Sequence, residues 1–315
     1  MTPDAPAPAA ASRRAKILRR TRVGATLALA VVGILWAASL PQGPSITLGV
    51  ATVVTLWSIF ELQRMRLFRT RFGAPAATVA ALACAALVGR AFVGEGAAGL
   101  FDGTADPGRY WAALALAIAG GLVAGLAALG PALLGASAAG GDDTSGDVPR
   151  PAPHVVLVAM VALPLFALVP IRTYGGIAAL ASYLVLAKIG DIAGYYFGSL
   201  MGKRHPFPNI SPGKTVAGCV ASLVAGTAVG GVLVAAGALE GARFGVASGL
   251  LLGAAVNVLA QAGDLAESVL KRRAKVKDSG TTFGPSGGML DLVDSLLLTA
   301  VPIAFLWPLL FRWPA

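Results

Sequence analysis

Histidine and cysteine are scarce, with two of each in 315 residues. His154 and His205 stand too far apart to build a histidine metal centre. Cys84 and Cys219 both fall in apolar runs, and their spacing fits neither a disulfide framework nor a zinc site. Charge is also sparse. Asp, Glu, Lys and Arg make up 13% of the chain, against roughly 25% in soluble domains. Apolar residues make up 56%, mean hydropathy is +0.75, and the apolar residues come in unbroken runs of membrane-spanning length. These features exclude an ordinary soluble domain and predict an all-α, polytopic integral membrane protein. The 40 glycines suit closely packed helices, but a biased composition would give them equally, so they carry no further weight. The net charge of +10 does not indicate nucleic-acid binding, because in a membrane protein the placement of cations matters more than their sum.

Nine spans are expected, at 23–40, 46–62, 76–94, 110–137, 154–170, 175–200, 216–238, 244–266 and 289–311. Residues 1–22 read as a disordered Pro/Ala-rich tail ending in Arg13, Arg14, Lys16, Arg19, Arg20 and Arg22. With the run 23–40, and AAS before Pro41, this segment mimics a signal peptide; it is read as a retained first helix because the loops then alternate without strain. With the N-terminus in the cytoplasm, the inside segments are 1–22, 63–75, 138–153, 201–215 and 267–288. They hold 6, 4, 1, 3 and 5 basic residues, 19 of the chain's 25, a strong positive-inside bias. Segment 138–153 reads as a polar linker between an N-terminal four-helix bundle, 23–137, and a five-helix C-terminal domain, 154–315.

The charged residues of the C-terminal part concentrate in QAGDLAESVLKRRAKVKDSGTTFGPSGGMLDLVDS, residues 261–295. If the eighth span continues outward, Asp264, Glu267, Ser268, Lys271 and Arg272 share one helix face. A metal ion on Asp264 and phosphates on Lys271 and Arg272 suit that order. The plainer alternative is that the cations only fix orientation and Asp264 pairs with Lys271 or Lys188. It explains Asp264 less well, since a carboxylate at the edge of a span is costly. Gly287 and Gly288 precede the ninth span, so backbone N–H groups at that helix start are expected to face an anion. Asp291 and Asp294 follow at i and i+3. They either complement the helix dipole or, opposite Asp264, serve as ligands of a hard cation such as Mg²⁺, and the second reading is preferred.

Upstream, ISPGKT resembles half of a P-loop, but Pro208 occupies the first glycine position and no strand precedes it, which argues against a P-loop ATPase. What remains is Ser211, Lys214 and Thr215 at the start of the seventh span, suited to phosphate. Lys188 and Asp191, at i and i+3, are expected to neutralise each other. Carboxylates for a metal, cations for phosphates and a membrane location together imply a reaction between a nucleotide and a lipid phosphate.

SVLKRRAKVKD, from Ser268 to Asp278, resembles the S-x-x-K-R-x4-K-D signature of the phosphatidate cytidylyltransferases (CDP-diacylglycerol synthases). QAGDLAES, the D-x3-Y-x2-G formed by Asp191, Tyr195 and Gly198, and ISPGKTVAG resemble that family too, so the likeness runs over roughly residues 155–311. It implies a magnesium-dependent enzyme of the cytoplasmic membrane, often with a second cation and dimeric. Such an enzyme converts CTP and phosphatidic acid to CDP-diacylglycerol and pyrophosphate. Carried over, Asp264, Asp291 and Asp294 are the metal-site and catalytic carboxylates, and Lys271 is a further catalytic group. Ser211, Lys214, Thr215, Ser268, Lys271, Arg272 and Lys277 bind the phosphates. The chain departs from the family pattern at four places. Gly284 and Ser286 replace the proline and histidine of P-x-H-G-G, Leu292 replaces the arginine of D-R-x-D, and Ala217 replaces a glutamate. Rival readings are an enzyme of another lipid phosphate, a CTP-dependent polyprenol kinase, or a transporter or scaffold whose charges only set topology.

Overall fold

The computed structural model describes residues 8–65, 78–79, 82–83 and 152–312. Helix α1 spans Pro8–Ser39 and α2 spans Gly43–Arg64. The expected disordered tail is helical from Pro8. Alanine, leucine, lysine and arginine propagate a helix well, and proline is tolerated in its first turn. The expected spans 76–94 and 110–137 lie outside the described residues apart from 78–79 and 82–83, as does the linker apart from 152–153.

Helix α3, Ala152–Met201, fuses two expected spans. Its membrane-compatible stretch runs 42 residues, Met160–Met201, about 63 Å at 1.5 Å per residue and twice a ~30 Å hydrocarbon core. Pro164 and Pro170 each remove a backbone donor, and Gly176 then breaks the helix at φ 74° and ψ −177°, a conformation open to glycine. Helices α4, Val216–Ala235, and α5, Val246–Arg273, follow. Their backbones nearly touch. A Cβ on Gly230 would lie 2.1 Å from Gly249 O, and one on Gly253 would lie 2.2 Å from Gly226 O. These four glycines are therefore required by packing, whatever the composition as a whole reflects.

A short 3₁₀ turn, Gly284–Ser286, leads into α6, Met289–Leu297, and α7, Ala300–Leu310. These last two are bent by 40°. Pro302 lacks the N–H that would continue the ladder through Leu298, which explains the break. Among the described residues, five helices are long and apolar enough to cross a membrane, six if α6 and α7 form one broken span. Among the described residues the only β pairing is an isolated bridge between Ala242 and Phe311. The protein is thus all-α and membrane-integral.

The core packs Ile59 and Leu62 of α2 with Phe166 and Tyr183 of α3, Leu290 of α6 and Trp307 of α7. Large apolar side chains such as Trp36, Leu200 and Val232 point outward, as in helices that meet lipid rather than water. Glu267, Ser268 and Lys271 are buried near the end of α5, and Ser279 is buried in the loop that leads to α6.

Candidate active site

Helix α5 runs past the expected end of its span to Arg273, so Asp264, Glu267, Ser268 and Lys271 do share one face. Glu267, Ser268 and Lys271 are buried there, while Arg272 turns outward. Asp294 of α6 meets that face. One oxygen from each of Asp264, Glu267 and Asp294 lies within 4.8 Å of the others. Each of these acids also has its own lysine. Lys214 Nζ is 2.7 Å from Asp264 Oδ2, and Lys188 Nζ is 3.5 Å from Asp294 Oδ1. Lys271 pairs with Glu267. The three lysines offset the cost of collecting three acids in a partly buried place. Glu267 Oε1 is nevertheless buried with no hydrogen-bond partner. An orphaned carboxylate oxygen beside two further carboxylates is a hard-oxygen donor set of the kind Mg²⁺ takes.

Asp291 has a different environment. Its Oδ1 lies 2.7 Å from Lys271 Nζ, while its Oδ2 accepts from Gly288 N at 2.7 Å and from Ser279 N and Oγ at 2.8 Å each. It is the third residue of α6 and bends back to cap its own helix start. The sequence grouped Asp291 with Asp264 and Asp294 from their spacing; the structure brings Asp264 and Asp294 together with Glu267 and sets Asp291 to one side, holding Lys271. Lys188 does contact Asp191, at 3.7 Å, but it also reaches Asp294.

The helix start at Gly288 is expected from the sequence to face an anion. The anionic groups it faces are the protein's own carboxylates. Besides Asp291, Glu61 of α2 accepts from Met289 N through Oε1 at 2.8 Å and from Leu290 N through Oε2 at 2.9 Å. Sequence reasoning passed over Glu61. The available signal was a lone acid inside an apolar span, the same cost that singled out Asp264.

The phosphate candidates separate by position. Lys214 projects from the loop before α4 onto Asp264 and also donates to Gln261 O at 3.4 Å. Ser211, in the same turn, accepts from Lys214 N at 3.1 Å through its carbonyl. Thr215 is buried and caps α4, its hydroxyl accepting from Gly218 N at 3.1 Å. Arg272 Nε donates to Ile210 O at 3.1 Å, which ties that loop to the end of α5. Lys277 is exposed on the following loop.

The profile of the Cytidylyltransferase family matches residues 18–310. The chain is 36% identical over 148 residues to the phosphatidate cytidylyltransferase of Helicobacter pylori strain J99, covering 47% of this chain and 54% of that protein. It is 38% identical over 133 residues to the phosphatidate cytidylyltransferase of Chlamydia pneumoniae, covering 41% and 42% of the two chains. It is also 34% identical over 135 residues, 42% of each chain, to the uncharacterized protein YnbB of Escherichia coli strain K12. The matched segments span about half the length of these relatives. With the family profile extending over nearly the whole sequence, from α1 to α7, the chain belongs to the Cytidylyltransferase family.

Proposed function

We propose that the protein transfers CMP from CTP to phosphatidic acid, releasing pyrophosphate and leaving CDP-diacylglycerol in the membrane. The observation that carries this reading is the cluster of Asp264, Glu267 and Asp294, each beside its own lysine, at the end of a membrane bundle. The relatives' names supply the substrate class.

In this reaction an oxygen of the lipid phosphate forms a bond to the α-phosphorus of CTP. The bond from that phosphorus to the bridging oxygen breaks, and pyrophosphate departs with the electron pair. A phosphate dianion is already nucleophilic, so no side chain need remove a proton. A divalent cation held by Asp264, Glu267 and Asp294, Mg²⁺ in this proposal, would neutralise the charge that builds on the transferring group. Lys214 and Lys271 project into the same place and offer cationic donors to the triphosphate and the lipid phosphate. Asp291 holds Lys271 at its post, and Arg272 secures the loop carrying Ser211. Ser268, Thr215 and Lys277 complete the proposed phosphate-binding set, with Thr215 acting through the helix start it caps.

The finer topology belongs to the same proposal: nine spans in two parts joined at 138–153, a cytoplasmic N-terminus, a site open to the cytoplasm of the inner membrane, and a homodimer. The distribution of basic residues supports the orientation.

The test uses the full chain in lipid–detergent micelles with Mg²⁺, phosphatidic acid and CTP labelled at either the α or the γ phosphorus. The expected result is α label in the lipid phase and γ label in pyrophosphate. Label from the γ position in lipid would identify a kinase instead, and no lipid label at all would favour a non-catalytic role.

A further inference from the structure

Helix α2 carries a single acidic residue, Glu61, near its C-terminal end. The residue is 2% exposed. All three of its hydrogen-bond donors are neutral: Met289 N, Leu290 N and Ser279 Oγ, the last at 2.9 Å from Oε2. A carboxylate buried this deeply needs compensation, and here it comes from the positive end of the α6 dipole and two of that helix's free N–H groups. The socket is shaped around it by glycines. A Cβ at Gly288 would lie 2.3 Å from Glu61 Oε2, and one at Gly280 would lie 2.9 Å from Oε1.

Ser279 joins this socket to the site. Its Oγ lies 2.9 Å from Glu61 Oε2 and 2.8 Å from Asp291 Oδ2, so its one O–H serves the two in turn. Asp291 in turn holds Lys271, and Lys271 pairs with Glu267. Asp294 lies one turn further along the helix whose start Glu61 grips. Helix residues are separated by 100° of rotation and about 1.5 Å of rise, so a slip of α6 by one residue would carry Asp294 out of its cluster with Asp264 and Glu267.

We infer that Glu61 is a positioning residue of the catalytic centre. From a helix more than two hundred residues upstream, it fixes the axial position and rotation of α6, and through Ser279 and Asp291 it fixes Lys271. The N-terminal part of the chain thereby sets the geometry of the acidic cluster and does more than anchor the enzyme. This inference rests on the proposal that the cluster holds a divalent cation.

The test measures Mn²⁺ binding to the detergent-purified full chain from the electron paramagnetic resonance signal of the free ion, alongside the thermal unfolding midpoint. In Glu61→Gln the amide NH₂ opposes one of the two helix N–H donors, so α6 loses its grip. The expected result is Mn²⁺ binding weakened about tenfold, the scale on which partners of metal ligands act, in a protein still folded at the assay temperature. Ser58→Ala is the control. Ser58 is fully buried on the same helix with a hydroxyl that has no hydrogen-bond partner, so its loss changes a buried polar site of α2 without removing a hydrogen bond to α6, and Mn²⁺ affinity is expected to stay at the wild-type value. If Glu61→Gln does not fold, Ser279→Ala takes its place, with a weakening of at least about threefold expected from loss of the link to Asp291. Wild-type affinity in whichever of these two variants is folded would overturn the inference alone, as would equal weakening in Ser58→Ala. Failure of the wild type itself to bind Mn²⁺ would overturn the cation proposal and this inference together.

Discussion

Asp291 receives hydrogen bonds or ion-pair contacts from Lys271, Gly288 and both donors of Ser279, whereas Asp264 has Lys214 and two neighbouring acids. Neutralising each should therefore have opposite signatures. Asp291→Asn turns an amide NH₂ toward groups that all donate, and it leaves Lys271 with one partner fewer. A loss of about 3 kcal/mol is expected, read as a clear fall in the unfolding midpoint in detergent. Asp264→Asn and Asp294→Asn relieve repulsion among acids but release Lys214 or Lys188, two opposing effects that should leave the midpoint near the wild-type value. Their transfer rates should drop about 10³-fold, or about 4 kcal/mol in the barrier. Gly284 poses a related case. It stands where the resembling family has proline, yet its φ is +55°, and proline is confined near −65°. Gly284→Pro is expected to cost about 2 kcal/mol rather than restore anything. The spacing of acids along a helix was legible in the sequence, and Asp264 and Asp294 do come together. What was not legible was that Glu267, and not Asp291, joins Asp264 and Asp294 in one cluster, because that depends on Asp291 folding back onto Gly288 and Ser279, a contact with no periodic signature.

At the level of elements, hydrophobic run length located the described helices well, including the fifth and sixth spans, whose boundary falls at the Gly176 kink. Run length could not show that α4 and α5 approach to backbone contact, because glycine content alone does not say which glycines face a neighbour. Gly253→Leu is expected to force the two helices apart and cost about 2 kcal/mol or more, seen as a lowered midpoint. Thr215 caps α4. Thr215→Val should cost about 1 kcal/mol in stability, and Thr215→Ser should recover most of it. The role of Glu61 was hidden for a plainer reason. Its partners lie 218 to 229 residues away, and a single sequence carries no sign of such a pairing.

For the whole molecule, a membrane bundle that gathers Asp264, Glu267 and Asp294 with Lys188, Lys214 and Lys271 in one place suits a reaction between a water-soluble triphosphate and a lipid that never leaves the bilayer. Arg272 bonded to Ile210 puts the loops before α4 and after α5 on the same side. Cysteines introduced at Lys203 and Lys277 are therefore expected to react with an impermeant thiol reagent together, from the cytoplasmic face in the proposed orientation. The most direct test of the central proposal is the initial rate at which α-labelled CTP delivers label to phosphatidic acid. Wild type and Asp294→Asn would be compared at equal amounts of folded full-length protein with Mg²⁺ present. Label should enter the lipid with the wild type and fall about 10³-fold with the variant. A wild type that labels no lipid would contradict the proposed activity, and equal rates in the two proteins would contradict the cluster of Asp264, Glu267 and Asp294 as its centre.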